Sequence, residues 1–417
     1  MTHPHFSRLA LAVGLAVAST STFASPQNFQ SARSFAMGGT GVAIAHPASS
    51  GFANPAMLAS GQHEWADDFG LILPSVNARF ADEEETINQI DDIQDTVDRA
   101  NAAINRLDTP AAQAEAGTLR QQLQDIDKDT VRIDVGLGLA LAVPIDAVSI
   151  GVHTVGNLQA SVRGEYDNAD DVELAKLEAG DLTADVNNLQ SRARVLASSV
   201  AELGVSFARN FELQDGRSVQ LGITPKYMQL MTYQYTESVS GFDDGNYDDD
   251  QYETDESGFN LDLGAAVTFG ENNEWNAGVA IKNLIPMDLD SAVSSDPSKM
   301  ESQHTLEVDP RVTVGVAHNA EFHVLTAELD LTEQKGFGYA DDTQWLAVGA
   351  EFDAWRYAQI RGGIRHNLAS NNDNAGIEED TQLTAGIGLS PFGARLDISA
   401  LFSDAELGAA IEFGAAF

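Results

Sequence analysis

The sequence predicts an all-β protein: a single 14-stranded antiparallel transmembrane β-barrel with an N-terminal plug and helical extracellular insertions. Three observations carry this expectation. Period-two alternation of apolar and polar residues dominates from residue 67 onward. An apolar but irregular stretch, Ser31–Ala59, precedes the first alternating segment. The last alternating segment closes on an aromatic residue, Phe417.

In chain order, residues 1–24 read as a signal peptide. Arg8 precedes the apolar run Leu9–Ala18, and the small residues Thr22 and Ala24 flank a cleavage point after Ala24. The run is too short to be a spanning helix, and no later stretch approaches ~18 uninterrupted apolar residues. The expected destination is the cell outer membrane of a Gram-negative bacterium, because weakly apolar alternating strands pass the inner membrane where hydrophobic helices would stall. The chain has no cysteine, which excludes disulfides, thiolate metal sites and thiol chemistry. It carries 23 basic against 63 acidic residues, a net charge of −40. Phosphate neutralisation is therefore not expected, and nucleic acid is not a predicted partner. Acidic loops that keep the exterior soluble in a saline habitat account for the balance.

Residues 25–66 form the predicted plug. Gly38, Gly39 and Gly41 permit backbone angles that other residues avoid, while Pro47 and Pro55 fix φ and remove donors. Apolar backbone without regular structure must be enclosed, since its amides need partners other than water. A closed barrel around the segment is the simplest enclosure.

The run ARSFAMGGTGVA, followed by Asn54, Pro55 and Ala56, resembles the N-terminal hatch of FadL-type outer-membrane transporters of long-chain fatty acids. It resembles still more the related outer-membrane proteins called TraF-like conjugal transfer proteins. Without a Cys-x-x-Cys, that label refers here to the barrel family and not to a thioredoxin-like one. The resemblance implies fourteen strands and a gate at Gly38, Gly39, Gly41, Asn54, Pro55 and Ala56. It also implies passive uptake of a hydrophobic small molecule through a plugged lumen. The alternative is an envelope or interaction component of conjugative plasmid transfer, without transport. The implied partners are outer-membrane lipid and lipopolysaccharide, the barrel-assembly machinery, a hydrophobic ligand and a conjugation-apparatus protein. A kinked third strand that opens sideways is also implied, and Gly156-Asn157, which interrupts that strand's alternation, is the candidate opening.

Residues 67–417 form the barrel. Its expected strands are Phe69–Phe80, Val131–Val143, Val148–Arg163, Val195–Arg209, Ser218–Ser238, Gly258–Phe269 and Trp275–Asn283. The remainder are Arg311–His318, Phe322–Leu331, Thr343–Phe352, Tyr357–Asn367, Gln382–Leu389, Ala394–Phe402 and Glu406–Phe417. Segments of ~9–11 residues suit tilted spanning strands, and an even count suits a single-chain barrel. In the last one, Leu407, Ala409, Ile411, Phe413, Ala415 and Phe417 share a face. Phe413 and Phe417 thus resemble the C-terminal signal read by the barrel-assembly machinery.

Two interruptions, at about 82–129 and 168–192, carry helical spacing. Ile90, Ile93, Val97, Ala100, Ile104 and Leu107 keep a three-four pattern; Thr109-Pro110 ends that helix, and Leu119, Leu123 and Ile126 begin another. Asp170–Ser191 repeats the pattern at Leu174, Leu177, Leu182, Val186 and Leu189. The two insertions are expected to pack together.

Alternation turns Gly136, Gly138, Gly264, Gly315, Gly349, Gly363, Gly386 and Gly388 inward, leaving room for a plug. Arg132, Asp134, Asp262, Arg311, Glu351, Arg361, Arg365, Arg395, Asp397 and Glu412 also turn inward. They are expected to pair with one another and with plug backbone; Arg361 and Arg365 are the candidates for a ligand carboxylate. Phe35, Met37, Phe52, Met57 and Leu58, facing Met228, Met231 or Tyr233, are expected to line an apolar pocket. The loop Phe242–Glu256 has eight acids and fails the EF-hand pattern at Asp249 and Asp255, so it reads as solvated. His318 and His323 flank a tight turn and read as rim residues. No Gly-x-Ser-x-Gly, His-Glu-x-x-His or phosphate-binding Gly-x-x-x-x-Gly-Lys occurs, so neither enzyme nor cofactor nor metal is expected.

Overall fold

The structure is a computed structural model that describes residues 29–60, 69–82, 85–143, 145, 147–214, 216–238, 250–353, 357–371, 377 and 380–416. The expected signal peptide, both ends of the expected plug, most of the acidic loop and Phe417 lie outside the described residues. Fourteen strands close one antiparallel barrel. They are β1 (Phe69–Ala81), β2 (Thr130–Val143), β3 (Ser149–Glu165), β4 (Arg192–Glu212), β5 (Ser218–Ser238), β6 (Glu253–Phe269) and β7 (Trp275–Lys282), then, after a short hairpin of β8 (Met287–Asp290) and β9 (Thr305–Val308), β10 (Arg311–Ala320), β11 (His323–Asp330), β12 (Trp345–Asp353), β13 (Ala358–Asn367), β14 (Thr381–Leu389), β15 (Ala394–Phe402) and β16 (Glu406–Ala416). Each barrel strand pairs with its sequence neighbour, except that β7 pairs directly with β10; β1 closes on β16.

The burial pattern is inverted relative to a water-soluble sheet. On β13, Ile360 and Ile364 are exposed while Arg361 and Arg365 are buried. On β12, Leu346, Val348 and Phe352 face out and Glu351 and Asp353 face in. Period two assigns the two sets to opposite faces. The wall is uneven in height. Strands β3–β6 run 17 to 21 residues, whereas β7 and β10–β15 run 8 to 10. All insertions leave from one end, and the other end has short turns.

One strand breaks the ladder. At Leu73 and Pro74, β1 slips register against both β16 and β2, so one extra residue bulges there. Proline, which lacks an N–H, suits such a position. By contrast, β3 pairs without a slip on both sides through Gly156 and Asn157. The interruption read in its side-chain alternation does not interrupt its backbone.

The described N-terminal segment, residues 29–60, lies inside the closed sheet. It comprises helix α1 (Ala32–Ala36) and two 3-10 turns, Ser50–Phe52 and Pro55–Ala59. The hairpin β8–β9, too short to read from alternation, also folds inward. Met287, Leu289, Leu306 and Val308 cover the inward Leu196, Val200, Met228 and Leu230 of β4 and β5.

The insertions form a helical body on β2 and β3. Helix α2 (Thr86–Asn105) presents Ile90, Ile93 and Val97 to Leu119 and Leu123 of α3 (Thr109–Asp125) and to Leu174 of α4 (Asp170–Glu178). Three details differ from the sequence reading. Leu107 leaves the seam: it is 77% exposed and left-handed (φ 55°) just past α2. Pro110 opens α3, whose first turn is capped by Asp108 accepting from Ala111 N at 3.3 Å. The second insertion has one helix, followed by turns pinned by the Asp170 carboxylate, which accepts from Gln190 N (2.7 Å) and Ser191 N (2.8 Å). Leu119 is fully buried in this body. Leu119→Ala is expected to cost about 2–5 kcal/mol there, seen as faster proteolysis within residues 85–129 while the barrel still migrates as a heat-modifiable band.

Candidate functional site

The N-terminal segment is shaped by local rules before it meets the wall. Ser31 caps α1 by accepting from Ser34 N at 3.3 Å. Gly38 and Gly39 then reverse the chain at φ 73° and 86°, a region that L side chains rarely enter. Asn54 is fully buried and works in two directions. Its Oδ1 accepts from Ala56 N at 3.0 Å, opening the 3-10 turn on Pro55. Its Nδ2 donates to Val42 O at 2.8 Å and Ala265 O at 3.3 Å, tying both halves of the segment to β6.

Glycines on the wall let the two backbones touch. A Cβ on Gly264 would collide with Asn54 Oδ1 and lie 2.8 Å from Ala56 N, and one on Gly278 would lie 2.7 Å from Val42 O. Across the lumen, a Cβ on Gly363 would overlap Gly38 N, and one on Gly349 would lie 2.6 Å from Met37 O. Thus Asn54-Pro55-Ala56 rests on β5–β7, and Ala36–Gly39 rests on β12–β14. Gly138 backs Phe29 and Gly386 backs Ala36, whereas Gly136, Gly315 and Gly388 face wall side chains instead. Gly41 packs within the segment, against Ala53.

Polar wall residues hold the segment's backbone. Glu328 Oε1 accepts from Gly41 N (2.8 Å), Val42 N (2.6 Å) and Ala43 N (3.4 Å). Glu412 accepts from Ala32 N at 3.2 Å; Thr384 Oγ1 accepts from Gly38 N at 2.9 Å and donates to Ala36 O at 3.0 Å. Asn276 donates to Ala43 O at 2.7 Å, and Lys282 donates to Phe52 O at 3.0 Å. Glu328 was absent from the charges singled out in the sequence, although the alternation of β11 turns it inward.

An ion pair joins segment and wall. Arg33 Nε and Nη2 each donate to the Glu351 carboxylate at 2.9 Å, and Arg33 Nη1 donates to Ile44 O at 2.6 Å. Glu351 also receives Arg361, which pairs with Asp397, itself paired with Arg395. Arg361 is therefore committed to an ion-pair chain that ends on the segment. Arg365 donates to Gln382, lies over the Trp345 ring at 4.1 Å, and stands beside Gly39. A second network, near the long-loop end, joins Arg79, Arg132, Asp134 and Glu406.

The apolar side chains expected to share one pocket are dispersed. Phe29, Phe52 and Leu58 pack on Ile72, Ala140 and Val155; Phe35 packs on Leu401 and Ala410. Met37 joins Ala317 and Val324, and Met57 joins Ala266. Met228 lies under the β8–β9 hairpin, and Tyr233 meets the Tyr252 ring. A cavity of about 70 Å³ remains between the segment and β7, β10 and β11. A larger one, about 1020 Å³, opens below Arg33, His46 and Glu351 among the short turns; Asn210, Glu212, Asn272 and Glu274 make it polar. His318 and His323 stack at that rim, 5.4 Å between centroids, with Trp275 edge-on to His318.

The sequence profile of the family described as "F plasmid transfer operon, TraF, protein" matches residues 51–330. Solved structures with a similar fold include the TodX monoaromatic hydrocarbon channel deltaS2 mutant, with TM-score 0.53 and 12% identity, covering 93% of this chain and 98% of that one. The P. putida toluene transporter TodX matches with TM-score 0.52 and 12% identity, over 94% and 99%. The CymD monoaromatic hydrocarbon channel matches with TM-score 0.51 and 12% identity, over 93% and 97%. No curated protein matches the chain.

Proposed function

The chain belongs to the family described as F plasmid transfer operon TraF protein, and on that premise we propose that it is a plugged outer-membrane channel for a hydrophobic small molecule. The observation that carries the reading is the enclosed segment. Residues 29–60 lie across the lumen and are tied to the wall by hydrogen bonds and an ion pair, contacts that can be broken and remade. Gly38, Gly39 and Gly41 with Asn54, Pro55 and Ala56 form the docked edges of this plug. Passage is diffusion, without catalysis.

The inverted burial supports placement in a membrane. On β6, outward Phe259 and Phe269 stand ten residues apart, Phe259 against Tyr227 and Phe269 against Trp275. At ~3.4 Å per residue and a ~40° tilt that is about 25 Å, the height of an outer-membrane apolar band. The similar proteins TodX and CymD are a toluene transporter and a monoaromatic hydrocarbon channel, which favours a small apolar cargo.

The route is sideways through β1, not β3. Behind the Leu73–Pro74 bulge lies the apolar cluster of Phe29, Phe52, Leu58 and Ile72, whereas the way down meets the polar vestibule. Deleting Pro74 removes the extra residue of this bulge and brings Ile72 and Ser75 into continuous register with β2. Toluene uptake by cells should then fall at least about tenfold, with the barrel still folded. Undiminished uptake would contradict the β1 route.

A second reading, an envelope component of conjugative transfer, is favoured by the helical body, which contributes nothing to the plug. If that body serves a conjugation-apparatus protein, Leu119→Ala lowers plasmid transfer frequency and leaves toluene uptake unchanged.

A further inference from the structure

Lys282 and Arg311 are register partners on β7 and β10, and alternation turns both inward. Like charges directly opposite one another destabilise a sheet. Arg311 is neutralised: its guanidinium donates to both Asp330 oxygens, at 3.1 and 2.6 Å. Lys282 is not. Among the described residues its ammonium makes one hydrogen bond, to Phe52 O at 3.0 Å, and no carboxylate lies within ion-pair distance. Glu202 and Asp262 act on it from farther away, and each is bound to Lys226 at 2.9 Å. Lys282 is only 7% exposed. An ammonium carries three donors, and burying it with one satisfied is costly unless an anion completes the set.

The side chain borders the 70 Å³ cavity, together with Arg311, Arg33, Thr313 and Glu328. Arg33 and Arg311 are held there by Glu351 and Asp330, and Glu328 by plug amides, which leaves the Lys282 ammonium as the cation without a carboxylate among the described lining residues. The volume holds several water-sized particles, enough for a small ion with part of its hydration.

We propose that this cavity binds a small anionic group between Lys282 and Arg311, bridging β7, β10 and the plug backbone at Phe52. Two sources share that chemistry: a free inorganic anion such as chloride, and the carboxylate head of an amphiphile. The site holds the plug closed, because the anion fixes the same ammonium that grips Phe52 O.

Crystals of the full chain soaked in bromide test the site by anomalous diffraction. The expected result is a peak in the cavity within hydrogen-bond reach of Lys282. It should vanish in Lys282→Met and in Lys282→Gln, the second of which can still donate to Phe52 O. In solution, sodium chloride should raise Tm more than sodium gluconate of equal ionic strength, and the difference should disappear in Lys282→Gln. Repeating the soak with octanoate or octanol distinguishes the sources. Loss of the peak with octanoate alone assigns an amphiphile's carboxylate; persistence with both assigns a free anion. Loss with octanol as well, or no bromide peak in folded wild type, overturns the proposal. Absence of uptake activity would leave this result untouched, since the site does not depend on the channel reading.

Discussion

Gly264→Val is expected to unseat the plug and turn the barrel into an open pore. The new side chain would enter space held by Asn54 Oδ1 and Ala56 N, both backed by the hydrogen bonds that shape the 3-10 turn. Neither wall nor turn can yield by a few tenths of an ångström, because β6 is paired on both sides at Gly264, to Gly222 and Ala280. The strand itself tolerates valine, a good β-former, so the barrel should still close. Planar-bilayer recordings should show a large, steady conductance absent from wild type. Protease added to the detergent-solubilised protein should cut within residues 29–60. Gly362→Ala is the matched control. Its Cβ would meet nothing closer than Thr384 O at 3.8 Å, and it should leave the channel closed. A closed, protease-resistant Gly264→Val barrel would show that the segment does not need this contact.

Glu351→Gln is expected to weaken the plug more than Arg33→Met does. Removing one member of a buried ion pair leaves an uncompensated charge, at a cost of about 3–5 kcal/mol. The two substitutions are not equivalent here. Without Arg33, Glu351 keeps Arg361; without Glu351, Arg361 keeps Asp397, but Arg33 is stranded on the plug with no carboxylate. A thermal or urea denaturation series of both single variants and the double variant measures the asymmetry. Arg33→Met added to Glu351→Gln should recover part of the loss, because it removes a stranded cation. Equal single losses that simply add would mean that the pair does not couple plug to wall.

The barrel was readable because outward-facing and lumen-facing residues alternate, and that period survives single-residue errors at the ends. β4 starts three residues earlier and β6 five residues earlier than their alternation suggests. At the start of β6, Glu253–Ser257 are polar on both faces, and β4 opens on Arg192-Ala193-Arg194, so no apolar face marks either start. The wall glycines were readable as an inward stripe, but which of them touch the segment depended on its path. Gly222 and Gly278, which face Pro55 and Val42, drew no notice in the sequence. Strands β8 and β9 were missed because four alternating residues are no signal. At Gly156-Asn157 the ladder has no slip. Side-chain polarity there departs from the pattern, while backbone pairing, which residue identity does not report, runs on. The register shift that β1 shows against both its neighbours is marked by Pro74, a residue that cannot donate to a ladder. The shared apolar pocket failed because alternation places residues on a face and says nothing of how a looped segment distributes its own side chains around it.

The most direct test of the account is uptake through a plug that can be locked. The chain has no cysteine, so Ala43→Cys with Ala317→Cys, residues of one buried cluster on plug and wall, introduces a single possible disulfide. Toluene uptake by cells carrying this pair should be blocked when it is oxidised and restored by a reductant. Equal uptake in the two states, with the disulfide verified, would contradict the claim that the plug gates this barrel.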